Sequence, residues 1–298
     1  MADPGRGEVQ VVVGGSGVCG SNLPVWEGRP WFSYPLPPGA PGHEAWGRIA
    51  AVGEGVEDRH VGEPVAFLGE AGFASHAVVP ASSTIVLPPE LAGEVFPGEA
   101  LGCAFNVAAR CGFRPDQRVC VVGVGFLGAI VTHLAAQAGA QVIAVSRRGY
   151  ALDVATAMGA KDTVQLESQS GVVDAVAKLT GGELCEVVVE AVGAQGPLDL
   201  AGELTGVRGR LVIAGFHQDG PRTVDLQLWN WRGIDVVNAH ERDPAVSLAG
   251  MEAAATAVAG GTFDPAPLYS SYPLERLGDA LDDMVRRPDG FMKAVVRP

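Results

Sequence analysis

The sequence contains few cysteines, a minority of positive charges and no long apolar segment. Its five cysteines form no C-x-x-C pair, and an odd number without such pairs argues against a disulfide framework. No apolar run approaches the length that spans a bilayer, and the opening M-A-D-P-G-R-G-E has no apolar signal segment. We therefore expect a soluble, cytoplasmic protein that does not bind membranes.

Positive charge is outnumbered by negative charge, with 21 lysines and arginines against 34 aspartates and glutamates and a net charge of -13. A chain this acidic is a poor general binder of nucleic acid or of anionic membrane surfaces. Its 298 residues are enough for two lobes, each with its own core. The composition therefore favours a globular enzyme with a small-molecule partner.

The chain contains two regions that differ in composition and in hydrophobic pattern. Residues 8–81 are rich in glycine and proline and contain short β-branched runs, which predicts an irregular β-rich lobe. Between residues 118 and 238, fully apolar strands alternate with helical stretches, which is typical of a parallel sheet covered on both faces. The predicted fold class is α/β, with a doubly wound domain at 108–238 and a β-rich lobe that precedes it.

A glycine-rich turn follows the first strand of the predicted doubly wound domain. Gly123 to Gly128 reads G-V-G-F-L-G and opens a helix, which is the setting of a dinucleotide-binding (Rossmann) fingerprint. Gly123 permits the tight turn, Gly125 lets the backbone approach a pyrophosphate, and Gly128 lets helix and strand pack closely. With Phe126 and Leu127 at the helix N-terminus, the turn predicts a nucleotide site, the alternative being a plain strand-to-helix turn.

The strand after this helix ends in Ser146, followed by Arg147 and Arg148. An acidic residue at this place would bind the ribose 2′-hydroxyl of NAD and repel a 2′-phosphate. Serine removes that repulsion, and two arginines offer planar, permanently charged donors for phosphate. The pattern favours NADP(H) over NAD(H). The alternative is a solvated surface pair in an enzyme that uses NAD or is indifferent.

Two short motifs in the first lobe complete a family pattern. Gly17 to Asn22 reads G-V-C-G-S-N, and Pro41 to Gly47 reads P-G-H-E-A-W-G. Together with the cofactor turn and the closing F-M-K-A-V-V-R-P, they resemble the zinc-dependent medium-chain dehydrogenase/reductase superfamily, which includes alcohol and polyol dehydrogenases. The resemblance covers nearly the whole chain. It implies a Rossmann domain at 108–238 and a split, GroES-like catalytic domain at 1–107 and 239–298.

The resemblance implies one catalytic zinc. Cys19 and His43 correspond to two of its protein ligands. Glu44 lies beside the metal in such proteins and acts as an auxiliary group. Glu99, in the stretch E-A-L, is the expected third ligand, and Cys103 is the alternative because other members use a cysteine in this region. A cysteine, histidine and carboxylate set with one open position suits a catalytic zinc.

The resemblance also assigns roles in catalysis and cofactor binding. Ser21 would hydrogen-bond the substrate oxygen and relay its proton, so the catalytic set comprises Ser21, Cys19, His43 and Glu44. Val192, Gly193 and Gly215 lie in segments that resemble the strand ends bordering the nicotinamide. Alternatively, these segments belong to the core of the sheet and end in turns, with no role in cofactor binding.

The sequence departs from the family pattern at several places. Asn22 stands where an aspartate commonly supports the zinc ligands, which puts metal affinity in doubt. Pro24 stands where many relatives carry a relay histidine. No cysteine lies between Cys19 and Cys103, so we expect no second, structural zinc.

Three functions remain open at this point. The first is a zinc- and NADP(H)-dependent oxidoreductase acting on an alcohol or carbonyl substrate. The second is a zinc-free NADPH-dependent reductase of an activated C=C bond on the same fold. The third is a non-catalytic cofactor-binding scaffold. For all three, the resemblance implies a homodimer or homotetramer.

Overall fold

The fold divides into two compact units in a computed structural model that describes residues 3–298. One unit comprises the described part of Met1–Cys103 together with Arg242–Pro298, and the other is Ala104–Glu241. Each unit is built around its own sheet. Within the described residues, no helix combines the length and the apolar character needed to cross a bilayer.

Along the chain, strands of the first unit come both before and after the strands of the second unit. They are β1 (Glu8–Gly17), β2 (Glu44–Val52), β3 (Pro64–Phe67), β4 (His76–Pro80), β5 (Thr84–Val86), β6 (Arg118–Val122), β7 (Gln141–Ser146), β8 (Asp162–Gln165), β9 (Cys185–Glu190), β10 (Thr205–Ile213), β11 (Asp235–Asn238), β12 (Tyr269–Pro273) and β13 (Lys293–Arg297).

The α-helices alternate with the strands of the second unit and are sparse in the first. They are α1 (Leu23–Trp26), α2 (Gly98–Cys111), α3 (Phe126–Gln137), α4 (Gly149–Ala157), α5 (Gln169–Leu179), α6 (Gln195–Leu204), α7 (Leu226–Arg232), α8 (Pro244–Ala259) and α9 (Leu277–Arg286).

The first unit is a seven-stranded sheet in the order β12-β13-β1-β2-β3-β5, with β4 also pairing with β1. Strand β1 alternates buried and less buried residues, so that Val9, Val11 and Val13 enter the core, as the two-residue period of a strand requires. Gly17 of β1 pairs with Glu44 of β2 and with Val295 of β13. This register brings the residues after β1, the beginning of β2 and the beginning of β13 close together.

The second unit is a six-stranded parallel sheet in the order β11-β10-β9-β6-β7-β8. Its central strands are almost entirely buried, as in the run Val119–Val122 of β6, because helices cover a parallel sheet. The predicted α/β fold class, with a doubly wound parallel sheet and a separate β-rich unit, is confirmed. The parallel register places the carboxyl ends of β6, β7, β9 and β10 along one edge, where open α/β sheets bind ligands.

Candidate metal and cofactor sites

Three side chains of the first unit converge on one point. The potential ligand atoms of Cys19, His43 and Glu44 all lie within 4.8 Å of one another. Cys19 follows β1, while His43 and Glu44 stand at the beginning of β2, and the antiparallel pairing of Gly17 with Glu44 joins these two places. Sheet register therefore brings together two motifs that are separated in the sequence.

The imidazole of His43 is oriented by a backbone carbonyl. Its Nδ1 lies 2.8 Å from the carbonyl oxygen of Pro41, and since a carbonyl only accepts, Nδ1 carries the proton and donates it. In the neutral ring, Nε2 then holds the lone pair, as in histidines that bind metals through Nε2. The Ser21 hydroxyl oxygen lies 3.4 Å from this Nε2.

The charges around His43 favour a cation. Burial works against the charged imidazolium, but a hydrogen bond to Cys19 and the negative charges of Cys19, Glu44 and Glu99 outweigh it and raise the pKa of His43 to about 10. An environment that stabilises an extra proton so strongly is one that would also stabilise a metal cation at the same ligands.

Asn22 joins the two motifs. Its side-chain Oδ1 accepts a hydrogen bond of 2.8 Å from the backbone N–H of Cys19. Its Nδ2 donates a hydrogen bond of 3.0 Å to the carbonyl oxygen of Pro41, the same oxygen that orients His43. The side chain is almost completely buried, and this position uses both the acceptor and the donor of an amide.

Glu44 is held by a lysine from the far end of the chain. Lys293 Nζ, in β13, donates to Glu44 Oε1 at 2.6 Å, and both side chains are buried. Burial lowers the pKa of Lys293, but the negative charges of Glu44 and Cys19 outweigh it and raise that pKa. Gly17 is required beside this pair, because a Cβ there would overlap Glu44 Oε2.

The second carboxylate oxygen of Glu44 fits a cation. Oε2 is buried and has no hydrogen-bond partner among the residues that the structure describes, a rare and costly condition for a charged group. Sulfur, imidazole and carboxylate ligands are those that zinc takes in proteins. The residues present therefore fit a bound zinc ion.

Glu99 and Cys103 lie one turn apart on α2, and the cluster of mutually close ligand atoms within residues 3–298 does not include them. Cys103 Sγ donates to Glu99 Oε1 at 3.1 Å. Burial and the negative charge of Glu44 raise the pKa of Glu99, which places its carboxyl in the same electrostatic environment as the cluster. The choice between Glu99 and Cys103 as a metal ligand stays a prediction.

The glycine-rich turn of the second unit links β6 to α3. Gly123 has a φ of +100°, a conformation that side chains disfavour. A Cβ on Gly128 would overlap the carbonyl oxygen of Gly123, whereas one on Gly125 would meet no atom within 4 Å. Gly125 caps α3, whose first residues Phe126 and Leu127 present N–H groups at the helix N-terminus. The turn thus has the close packing and the open face that a phosphate cradle requires.

The residues predicted to select the cofactor follow β7 directly. Ser146 is buried and its Oγ accepts a hydrogen bond of 3.3 Å from the backbone N–H of Arg148. Arg147 is exposed and Arg148 is half-buried. Arg148 is also the N-cap residue of α4.

Val192, Gly193 and Gly215 lie beside the glycine-rich turn. The last residue of β9, Glu190, pairs with Val122 of β6 and with Ile213 of β10. A Cβ on Gly123 would overlap the side chain of Val192. The structure therefore gathers these residues with the turn at one edge of the sheet. The sequence analysis did not identify two side chains that bind this segment, His217 at Glu190 and Arg222 at Gly193. Their one signal in the sequence is Glu190, a glutamate that ends an otherwise apolar strand.

The family comparisons match each unit. The family described as "Alcohol dehydrogenase GroES-like domain" matches residues 5–89, and the family described as "Zinc-binding dehydrogenase" matches residues 127–249. The 2-dehydro-3-deoxy-L-galactonate 5-dehydrogenase of Pseudoalteromonas atlantica is 26% identical, covering 98% of this chain and 92% of the relative. The galactitol 1-phosphate 5-dehydrogenase of Escherichia coli K12 is 28% identical, covering 71% and 69%.

The chain belongs to the zinc-dependent medium-chain dehydrogenase/reductase superfamily. The resemblance inferred from the sequence is confirmed, and so is the prediction of an enzyme of the alcohol and polyol dehydrogenase type. Among solved structures, the 2R,3R-butanediol dehydrogenase of Bacillus subtilis superposes with a TM-score of 0.86 at 24% identity, covering 100% of this chain and 94% of that one. This likeness shows that the superfamily fold is shared.

Removing the buried lysine should destabilise the first unit. Lys293→Met leaves the Glu44 carboxylate buried without its counter-ion, and we expect a loss of about 3–5 kcal/mol in the free energy of unfolding. Urea unfolding of the metal-depleted protein measures it. The exposed Lys161→Met is the matched control. Adding Glu44→Gln to Lys293→Met should recover part of the loss, and an additive double variant would contradict the pairing.

Restoring the family's usual aspartate should weaken the site here. Asn22→Asp removes the donor to Pro41 and sets a carboxylate against a carbonyl, so we expect about 1–3 kcal/mol of destabilisation. We also expect zinc affinity to fall about 10–100-fold, measured by competition with a chelating dye. Asn230→Asp, on the exposed side of α7, is the control. Tighter zinc binding by Asn22→Asp would contradict this prediction and show that asparagine lowers the zinc affinity relative to aspartate.

Proposed function

We propose that this protein is a zinc-dependent oxidoreductase that transfers hydride between NADP(H) and an alcohol or carbonyl substrate. The observation that carries the proposal is the cluster of Cys19, His43 and Glu44, with its buried and unpartnered carboxylate oxygen. A scaffold without catalysis would gain nothing from a buried, uncompensated lone pair.

Cys19, His43 and Glu99 would hold the zinc, and Glu44 would act as an auxiliary group. The Lys293 ion pair supports this division, because it already occupies one oxygen of Glu44, whereas Glu99 is paired only with a neutral thiol donor among the contacts described above. A bound zinc would supply Lewis acidity toward the substrate oxygen. The Pro41 carbonyl keeps His43 Nε2 in its ligand tautomer.

Ser21 is the group proposed to handle the substrate proton. Its hydroxyl oxygen lies next to His43 Nε2, at 3.4 Å, and a hydroxyl can both accept and donate a proton. When an alcohol is oxidised, Ser21 would accept the hydrogen bond of the substrate hydroxyl. With Pro24 in place of a relay histidine, the proton would leave through water or cofactor hydroxyls.

The dinucleotide would lie along the carboxyl edge of the parallel sheet. The N–H groups at the beginning of α3 would bind the pyrophosphate, and the nicotinamide would lie near Val192, Gly193 and Gly215. Arg147 and Arg148 would bind a 2′-phosphate, which Ser146 does not repel. This arrangement supports a preference for NADP(H).

The names of two relatives support a proposal for the substrate class. Both are named as dehydrogenases that act at carbon 5 of a six-carbon sugar acid or polyol phosphate. We therefore propose a secondary alcohol in a polyhydroxylated chain, or the matching ketone, as the substrate. The assembly is proposed to be a homodimer or homotetramer. Two features support this: no strand of residues 3–298 pairs with the outer edge of β11, and Trp231 is 87% exposed.

Metal content tests the proposed ligand set. We expect one zinc per chain in the wild type, a loss of zinc in Cys19→Ser and His43→Gln, and a marked loss in Glu99→Gln, since each change removes one ligand. Elemental analysis after gel filtration measures it. Cys103→Ser is the control and should retain zinc. Zinc retained by Glu99→Gln and lost by Cys103→Ser would assign the third ligand to the cysteine instead.

Cofactor titrations test the proposed selectivity. Wild type should bind NADPH more tightly than NADH, and Arg147→Ala with Arg148→Ala should weaken NADPH binding about tenfold or more by removing charge-assisted hydrogen bonds. NADH binding should change little. Quenching of intrinsic tryptophan fluorescence gives both dissociation constants. Arg276→Ala, an exposed arginine of the first unit, is the control. Tighter wild-type binding of NADH would refute the preference for NADP(H).

A further inference from the structure

A fully buried carboxylate ends the central strand β9. Glu190 has no exposed surface, yet its Oε1 accepts hydrogen bonds from the backbone N–H groups of Val192 at 2.7 Å and Gly193 at 2.8 Å. The carboxylate therefore folds the chain after β9 back over the end of its own strand. Two amide donors compensate part of the desolvation of the charge.

His217 supplies the next contact. Its Nε2 lies 3.0 Å from Glu190 Oε2, and its Nδ1 accepts from Arg222 Nε at 3.0 Å. Since the guanidinium only donates, Nδ1 carries no proton, and Nε2–H donates to Glu190. Arg222 thus donates to His217, and His217 donates to Glu190. We name these three side chains the Glu190 relay.

Arg222 closes the Glu190 relay into a ring. Its Nη2 donates to the carbonyl oxygen of Gly193 at 3.1 Å and to the carboxylate of Asp219. Gly193 therefore donates its N–H to one end of the relay and accepts at its carbonyl from the other. The segment after β9 and the segment after β10 are tied together by side chains at both ends.

The two segments that these hydrogen bonds connect also pack closely against each other through their backbones. A Cβ on Gly193 would overlap backbone atoms of Phe216, and a Cβ on Gly215 would overlap the backbone nitrogen of Gly193. On its other side, the same segment meets the glycine-rich turn, where Val192 packs against Gly123. A shift of this segment would therefore be passed to the turn that begins the phosphate cradle.

We propose that His217 and Arg222, acting through Glu190, are positioning residues that hold the segments at 191–194 and 214–222 in the arrangement that binds the dinucleotide. The inference rests on the proposed cofactor function. Neither residue contacts the reacting atoms in this role. Their effect is to fix a backbone surface before the cofactor arrives, which spares the cost of ordering it on binding.

Stability alone is a weaker explanation of the Glu190 relay. Buried charged networks contribute little net stability compared with apolar side chains of similar size, whereas a fully satisfied network selects one backbone arrangement. A residue that only stabilises the unit would change its unfolding and leave the cofactor affinity of the folded protein alone. A positioning residue would change affinity in protein that is still folded.

The experiment compares His217→Leu with His217→Gln in the full chain. Leucine fills the space but removes both polar contacts, whereas the glutamine amide can donate to Glu190 through Nε2 and accept from Arg222 through Oε1. His60→Leu, at an exposed histidine of the first unit, is the control. The measurements are the NADPH and NADH dissociation constants, hydrogen exchange of the cofactor-free protein at 191–194 and 214–222, and thermal unfolding.

We expect His217→Leu to weaken binding of the preferred cofactor about tenfold, from the loss of buried hydrogen bonds, and to speed exchange at both segments. His217→Gln should stay within about threefold of the wild type. Arg222→Met should have the same effects as His217→Leu, so the inference can still be tested if the His217→Leu protein does not fold. Unchanged affinity in folded His217→Leu would overturn the inference, whatever the exchange rates. A wild type that binds neither dinucleotide would instead refute the proposed function, and the inference with it.

Discussion

The buried ion pair between Glu44 and Lys293 joins the two ends of the first unit, across 249 positions of sequence. Glu44 begins β2 and Lys293 begins β13, and both strands pair with β1 at Gly17 or its neighbour. Desolvating two charges is costly, so such a pair persists only with close geometry and compensation of the remaining lone pairs. Here one carboxylate oxygen binds the lysine, and the other has no hydrogen-bond partner among the described residues. The Glu44 side chain also offers one ligand atom to the proposed metal site, within 4.8 Å of those of Cys19 and His43.

The two units use buried glutamates in opposite ways. Glu190 has both oxygens satisfied, one by two backbone amides and the other by His217. Glu44 has one oxygen satisfied and one without a described partner. A saturated carboxylate can only hold the backbone in place, whereas an unsaturated one attracts a cation. The number of donors around each carboxylate, rather than its residue type, supports a structural role for one and a metal-binding role for the other.

Local pattern was sufficient to predict much of the fold. The glycine-rich turn and the apolar strands around it depend on periodicity and turn chemistry within short windows. The four-residue edge strand β8 was not predicted, because it is only partly buried and its pairing with β7 is the signal that defines it. Family resemblance alone predicted that Cys19 and His43 lie together. The physical reason is the register of β1 and β2, which only the structure shows.

The residues that prediction missed share one property. Lys293 lies 249 positions from its partner, and His217 lies 27 positions from Glu190 across a crossover helix and strand. The sequence shows a glutamate that ends an apolar strand and a lysine in the closing segment, but neither contact produces periodicity or a composition signal, so a single sequence does not show which residues they bind. They become visible only where the topology brings strand ends together, which is also where both proposed sites lie.

Asn22 shows how geometry can change the meaning of a departure from a family pattern. From the sequence, an amide in place of an acid indicates a weakened metal site, since it removes a negative charge near the ligands. In the structure, the side chain must accept from Cys19 and donate to Pro41 at the same time. An ionised carboxylate has no donor for the second contact. The amide is therefore the residue type that this arrangement of Cys19 and Pro41 requires. The Pro41 carbonyl that it binds is also the one that orients His43.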